Sequence, residues 1–155
     1  TKTVRTIATG LSGPRGIVVN SSETLAYVAE TGSDEISVVD LRTGAVTTLV
    51  TGIDSVRGLA FNSTETVLYA TDGSSIGNLF AVNLQGPPQI TLVATGLVYP
   101  EGVVLNPTDT FAYVASGYTG KLLAVDLASG AVTEVAVELS DPRGVELHPS
   151  GICGE

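Results

Sequence analysis

Gly13-Pro14-Arg15-Gly16-Ile17-Val18-Val19-Asn20 returns three times along the chain. It comes back as Ser55-Val56-Arg57-Gly58-Leu59-Ala60-Phe61-Asn62, as Tyr99-Pro100-Glu101-Gly102-Val103-Val104-Leu105-Asn106, and as Asp141-Pro142-Arg143-Gly144-Val145-Glu146-Leu147-His148. The shared glycines fall at 16, 58, 102 and 144, a period of 42 to 44 residues. Each apolar run after the glycine reads as a short strand, here termed A. Three more strand signals follow within each period. B is Thr24–Ala29, Val67–Thr71 and Thr110–Ala115. C is Glu35–Leu41, Asn78–Leu84 and Lys121–Leu127. D is Ala45–Val50, Gln89–Ala94 and Ala131–Val137. These runs are too short for typical helices, and no 3.6-residue stripe persists.

Strands with one wet face alternate apolar and polar residues. Strands A, B and C are apolar at nearly every position, so both faces must be covered. A radial stack of small sheets does this, because each sheet is sandwiched between its neighbours. A period in the low forties built of four strands is the mark of a β-propeller blade. D carries more Thr and Gln, as an outer strand would. Tyr27, Tyr69 and Tyr113 recur at one position of strand B, where a ring can fill the space between blades and keep its hydroxyl near water. Asp40-Leu-Arg-Thr-Gly44 and Asp126-Leu-Ala-Ser-Gly130 supply Asx-type turns between C and D.

The expected fold is all-β, a propeller with four-stranded antiparallel blades in an incomplete arc. Residues 1–155 form one segment, with blades over about 13–52, 55–96 and 99–139. Thr3–Thr9 matches the D strands and 144–148 the A strands, so both are expected as lone strands, giving the order D, three times ABCD, then A. Closed propellers typically have 4 to 8 blades. Three blades therefore leave two open apolar faces, and faces of that kind mark interfaces. Two expectations follow: association with copies of itself, by ring closure or head-to-tail, or completion by missing blades of a longer chain. Residue 1 is Thr, in keeping with a processed product or an excerpt.

At this point the chain resembles the NHL and YVTN propeller repeats. The matching features are the Pro-x-Gly at strand A, the Ala-Tyr-Val-Ala of strand B and the Ile-Ser-Val-Val-Asp of strand C. The resemblance covers nearly the whole chain and is specific for fold, which does not itself specify function. It also implies a likeness in fold to six-bladed lactonases and other metal-dependent hydrolases. Glu101 in Pro100-Glu101-Gly102 is similar to their metal carboxylate, whereas their partner Asn and Asp ligands have no counterpart.

The chain has 155 residues, 43% of them hydrophobic and only 15% charged, which excludes a disordered tail. Its net charge of −9 repels phosphate backbones and anionic lipid heads, so nucleic acid is not an expected partner. No stretch approaches the roughly 18 apolar residues of a membrane helix, so membrane insertion is not expected either. Cys153 has no second cysteine to pair with inside the chain, leaving an idle thiol or a bond to another chain.

Four candidate sites emerge. The residues before the strand-A glycines are Arg15, Arg57, Glu101 and Arg143, which would ring one mouth of the central channel. Guanidinium groups there could hold an anion bidentately, or Glu101 could neutralise a neighbouring Arg in an ordinary inter-blade salt bridge. Glu30, Asp72 and Ser116 follow strand B. The two carboxylates are weak Ca²⁺ candidates, but their spacing fits no EF-hand and solvated turns are the ordinary reading. Asn20-Ser-Ser22 and Asn62-Ser-Thr64 are glycosylation sequons at equivalent hairpins, and Pro107 blocks the third, at Asn106. Asn and Ser also favour turns for their own sake. His148 is the one histidine, and with Cys153 it makes a weak nucleophilic pair. No catalytic set, metal centre or cofactor is indicated. The leading expectation is a non-catalytic scaffold for self-association or binding other proteins, in an extracellular, cell-surface or periplasmic setting. The alternatives are a fragment of a lactonase-like hydrolase or lyase, and a small-anion sensor.

Overall fold

The computed structural model describes residues 3–147. It contains twelve strands and, among the described residues, no helix. Blade 1 is β1 (Pro14–Val19), β2 (Leu25–Glu30), β3 (Glu35–Asp40) and β4 (Val46–Thr51). Blade 2 is β5 (Val56–Phe61), β6 (Val67–Asp72), β7 (Asn78–Asn83) and β8 (Gln89–Thr95). Blade 3 is β9 (Pro100–Leu105), β10 (Phe111–Ser116), β11 (Lys121–Asp126) and β12 (Val132–Ala136). Each blade is one antiparallel meander whose strands pair in sequence order.

The core lies between the blades. Ile36 and Ala29 of blade 1 pack with Ile53, Val56, Leu59, Leu68 and Val82 of blade 2, with Tyr27 and Phe61 at the margin. Those two rings meet edge to face at 5.0 Å. Ala60, Leu79 and Ala94 of blade 2 pack in the same way with Leu97, Val103, Val114 and Val125 of blade 3. Burial on both faces is what the nearly unbroken apolar strands demand. The outer strands β4, β8 and β12 are mostly exposed, as their Thr content implies.

The lone strands at 3–9 and 144–148 are corrected by the structure. Neither 3–9 nor 144–147 is a strand, and His148 lies outside the described residues. A strand exists as half of a ladder, and neither segment has a neighbouring sheet edge of its own to bond. A Cβ on Gly130, in the C–D turn of blade 3, would collide with the carbonyl oxygen of Val93 in the outer strand of blade 2. A Cβ on Gly44, the same turn of blade 1, would collide with the carbonyl oxygen of Ile7. Ile7 thus stands where the outer strand of a preceding blade belongs. Residues 143–145 lie over Gly102 much as residues of β9 lie over Gly58, in the inner-strand place of a following blade.

Ala26, Val28 and Val39 of blade 1 are buried, at 1–4% exposure, with Ala8, Leu11 and Leu41 packed on them. On the same face Ile17 is 62% exposed, while its counterparts Leu59 and Val103 are 6% and 7%.

Candidate functional site

Each inner strand carries a bulge at the same point. Pro14 pairs with Glu30 and Ile17 with Val28, so three steps on β1 face two on β2. Val56/Leu59 against Asp72/Ala70, and Pro100/Val103 against Ser116/Val114, repeat the irregularity. The bulged residues are Arg15-Gly16, Arg57-Gly58 and Glu101-Gly102. A bulge bends the strand and re-aims its side chains. Here it turns Arg15, Arg57 and Glu101, together with Arg143, toward one cleft of about 320 Å³ lined also by Gly16, Gly58 and Gly102. The structure therefore brings together the four residues singled out for the channel mouth.

Their states differ. Arg57 and Glu101, from adjacent blades, form an ion pair and are both largely shielded from solvent. The Arg57 guanidinium lies in a slot that exists because residue 73 is glycine. Its buried Nε has no hydrogen-bond partner. The equivalent position in blade 1 is Thr31, whose hydroxyl donates to the Val56 carbonyl at 2.6 Å, and Arg15 is exposed. Arg143 donates to Asp141 Oδ2 from Nε at 3.0 Å and from a terminal nitrogen at 2.9 Å. That hydrogen bonding, then the Asp141 charge and the Glu101 charge, raise its pKa above the ordinary arginine value. The cleft is thus partly self-neutralised, with Arg15 the arginine that has no ion-pair partner among the described residues.

One contributor was missed in the sequence. Thr71 is fully buried in β6, where blades 1 and 3 carry Ala29 and Ala115. Its hydroxyl accepts from Gly58 N at 2.9 Å and donates to the Glu101 carbonyl at 2.8 Å, joining two inner strands under the ion pair. The break in the Ala-Tyr-Val-Ala pattern at Thr71 was the available signal.

The Glu30–Asp72–Ser116 set does not converge. Each member is buried in its own blade and bonded there. Glu30 accepts from Ser12 N. Asp72 accepts from Ser74 N and Oγ and from Asn78 Nδ2. The Ser116 hydroxyl donates to the Val98 carbonyl and meets Thr119 Oγ1. No group of three metal-ligating side chains occurs among the described residues.

Asn20 and Asn62 organise the A–B turns. The Asn20 Oδ1 accepts from Thr24 N and Leu25 N, and its Nδ2 donates to Ser22 Oγ and Thr24 Oγ1. Asn62 repeats all four bonds, and so does Asn106, where proline forbids glycosylation. The turn role is therefore common to all three asparagines, with or without a sequon. The candidate pair of His148 and Cys153 lies outside the described residues.

No family model and no curated protein matches the chain. Solved structures do. Hydrazine synthase from Kuenenia stuttgartiensis superposes with a TM-score of 0.76 at 22% identity over 93% of this chain. A nidogen/laminin complex gives 0.73 at 20% over 84%, and an auxiliary nutrient binding protein from Bacteroides thetaiotaomicron 0.74 at 18% over 92%. At these identities the likeness is one of fold. The chain spans 41%, 51% and 35% of those chains. It is an arc of a β-propeller, and no helix among the described residues is long and apolar enough to cross a membrane.

Proposed function

We propose that this chain is a non-catalytic propeller segment of the NHL/YVTN repeat type. Its work is to present surfaces, and its two end faces are the interfaces. The observation that carries this reading is the bare inner strand of blade 1. Ile17 and Val19 lie where residues of blades 2 and 3 are covered by the preceding blade. Further blades, from copies of this chain or from more of the same polypeptide, are the matching cover. Glu101, the carboxylate a hydrolase fragment would use, is paired with Arg57, and this supports the non-catalytic reading.

Sedimentation measurements at rising concentration test it. The expected result is a mass above the 15.8 kDa of one chain, falling to that value when Ile17 and Val19 are both changed to Lys. A single 15.8 kDa species at all concentrations overturns the assembly reading. We place the protein outside the cytoplasm. Material from its native source should then carry mass that deglycosylation removes at Asn20 or Asn62.

A second reading rests on Arg15, exposed and without an ion-pair partner in a cleft shared with Arg57 and Arg143: the cleft binds a small anion. Inorganic phosphate or citrate should then give a saturable rise in melting temperature that Arg57→Glu abolishes. A flat titration of the unaltered protein ends this reading.

A further inference from the structure

At the channel mouth the repeat is broken by two tyrosines. Tyr118 stands in the B–C loop of blade 3 at the place of Gly32 and Ser74 in blades 1 and 2. Tyr99 stands before strand A of blade 3 at the place of Gly13, Ser55 and Asp141. The two rings meet at 5.2 Å, tilted by 54°. Blade packing does not call for this pair, since Tyr118 is 83% exposed and its counterparts carry no ring. The segment that carries Tyr99 is also strained. Val98 and Tyr99 both have left-handed backbones, at φ 52° and 51°. The left-handed residue at the place of Tyr99 recurs in every period, as Gly13, Ser55 and Asp141, whereas that at Val98 has no counterpart at Ser12, Asp54 or Ser140. A β-branched residue is an outlier there, and such strain persists only where the surroundings impose it. Here Val98 N donates to the Ile76 carbonyl and Tyr99 N to the Ser74 carbonyl, both at 3.1 Å, while the Val98 carbonyl accepts from Ser116 Oγ.

The tyrosine pair adjoins the arginine cleft. Tyr118, Glu138, Asp141 and Arg143 line a second hollow of about 570 Å³, and Arg143 also lines the cleft of Arg15, Arg57 and Glu101. Glu101 offsets the charge of Arg57, and Asp141 that of Arg143. The charge of Arg15 is left over. Arg143 turns Nε and one terminal nitrogen to Asp141, and among the described residues its other terminal nitrogen makes no hydrogen bond. One surplus positive charge matches one carboxylate. A dianion brings a second negative charge that nothing in the cleft offsets, and Glu138 in the adjoining hollow opposes it.

We infer that cleft and hollow are one site for a monocarboxylate carried on an aromatic group, with the carboxylate at Arg15 and Arg143 and the ring against Tyr118. Guanidinium groups supply the charged donors for the carboxylate, and an exposed tyrosine supplies a face or edge for the ring. Tyr118 sets the choice of ligand, and Tyr99 positions it. The inference rests on the small-anion reading of the cleft, and adds which anion fits.

Chemical-shift titration of isotope-labelled chain with acetate, phenylpropionate and inorganic phosphate, at one ionic strength, gives the affinities. Phenylpropionate should bind about tenfold more tightly than acetate or phosphate, the worth of one ring-on-ring contact. Its phenyl protons should show nuclear Overhauser contacts to the Tyr118 ring. Tyr118→Phe should keep the preference, and Tyr118→Ala should bring phenylpropionate to within about twofold of acetate. A blocked tripeptide ending in phenylalanine separates the two sources of such a group. Binding tighter than that of phenylpropionate assigns a protein chain terminus, weaker binding assigns a free acid, and both support the inference. Phosphate that binds while phenylpropionate binds no tighter than acetate overturns the inference and leaves the small-anion reading standing. So does a preference that survives Tyr118→Ala. Should that variant not fold, bound phenylpropionate without contacts to the Tyr118 ring in the wild-type chain overturns the inference. Spectra that no anion moves end both readings.

Discussion

Gly58→Ala should be among the most damaging single substitutions in this chain, costing about 3 kcal/mol or more and lowering the melting temperature by roughly 6–12 °C. Gly58 sits in the bulge of β5, where a Cβ would collide with the carbonyl oxygen of Glu101 in the next inner strand. Gly16 stands in the same relation to Arg57. Gly58 is not among the glycines with positive φ, so alanine can adopt its backbone without strain. Any loss therefore reports the approach of two backbones near the propeller axis. The neighbour is a laddered strand held by Thr71, and it has little freedom to retreat. Gly102→Ala is the internal control. Its Cβ would stand 2.8 Å from the Arg143 carbonyl oxygen, in a segment with no ladder, so that segment can shift and the cost should be about 1 kcal/mol. Thermal unfolding of both variants decides the matter. A Gly58→Ala melting temperature within about 2 °C of wild type would show that the inner strands are not packed this closely.

The repeat made the blades legible because one physical demand recurs in each period. Both faces of a blade are buried, so A, B and C are apolar throughout, and the glycine before each A run is where inner strands crowd together. Arg15, Arg57, Glu101 and Arg143 were legible for the same reason, since one register position repeated around an axis must converge at the channel mouth. What could not be read was the outcome of that convergence. Arg57 pairs inward because residue 73 is glycine, while Thr31 occupies the equivalent position in blade 1 and Arg15 is exposed. That contrast depends on neighbours from different strands, and strand pattern does not report them. The end segments failed as strands for a related reason. Thr3–Thr9 has the composition of an outer strand, but composition does not supply the ladder partner that makes one. Glu30 and Asp72 looked like possible ligands because a carboxylate at the end of a strand reads alike whether it faces water or, as here, a backbone N–H or a neighbouring amide.

Leu97→Ala should cost about 3 kcal/mol, while Leu139→Ala, at the equivalent position one blade later, should cost well under 1 kcal/mol in the single chain. Ile53, Leu97 and Leu139 each follow a left-handed residue at the link between blades: Gly52, Gly96 and Glu138. Ile53 and Leu97 are 1% exposed because a blade stands on both sides of the link. Leu139 is 40% exposed, and among the described residues the blade it leads into is represented by residues 141–147 alone. A cavity term arises only where surrounding atoms cannot collapse, so equal chemistry gives unequal losses at the two sites. Denaturant unfolding of the two variants at low concentration measures the difference. If Leu139→Ala proves as costly as Leu97→Ala in dilute solution, the end face is already covered within one chain, and the case for an open arc fails. If the costs differ when dilute and converge as concentration rises, Leu139 is being buried by association. The link leucine then reports directly that a further blade has seated on this end of the arc.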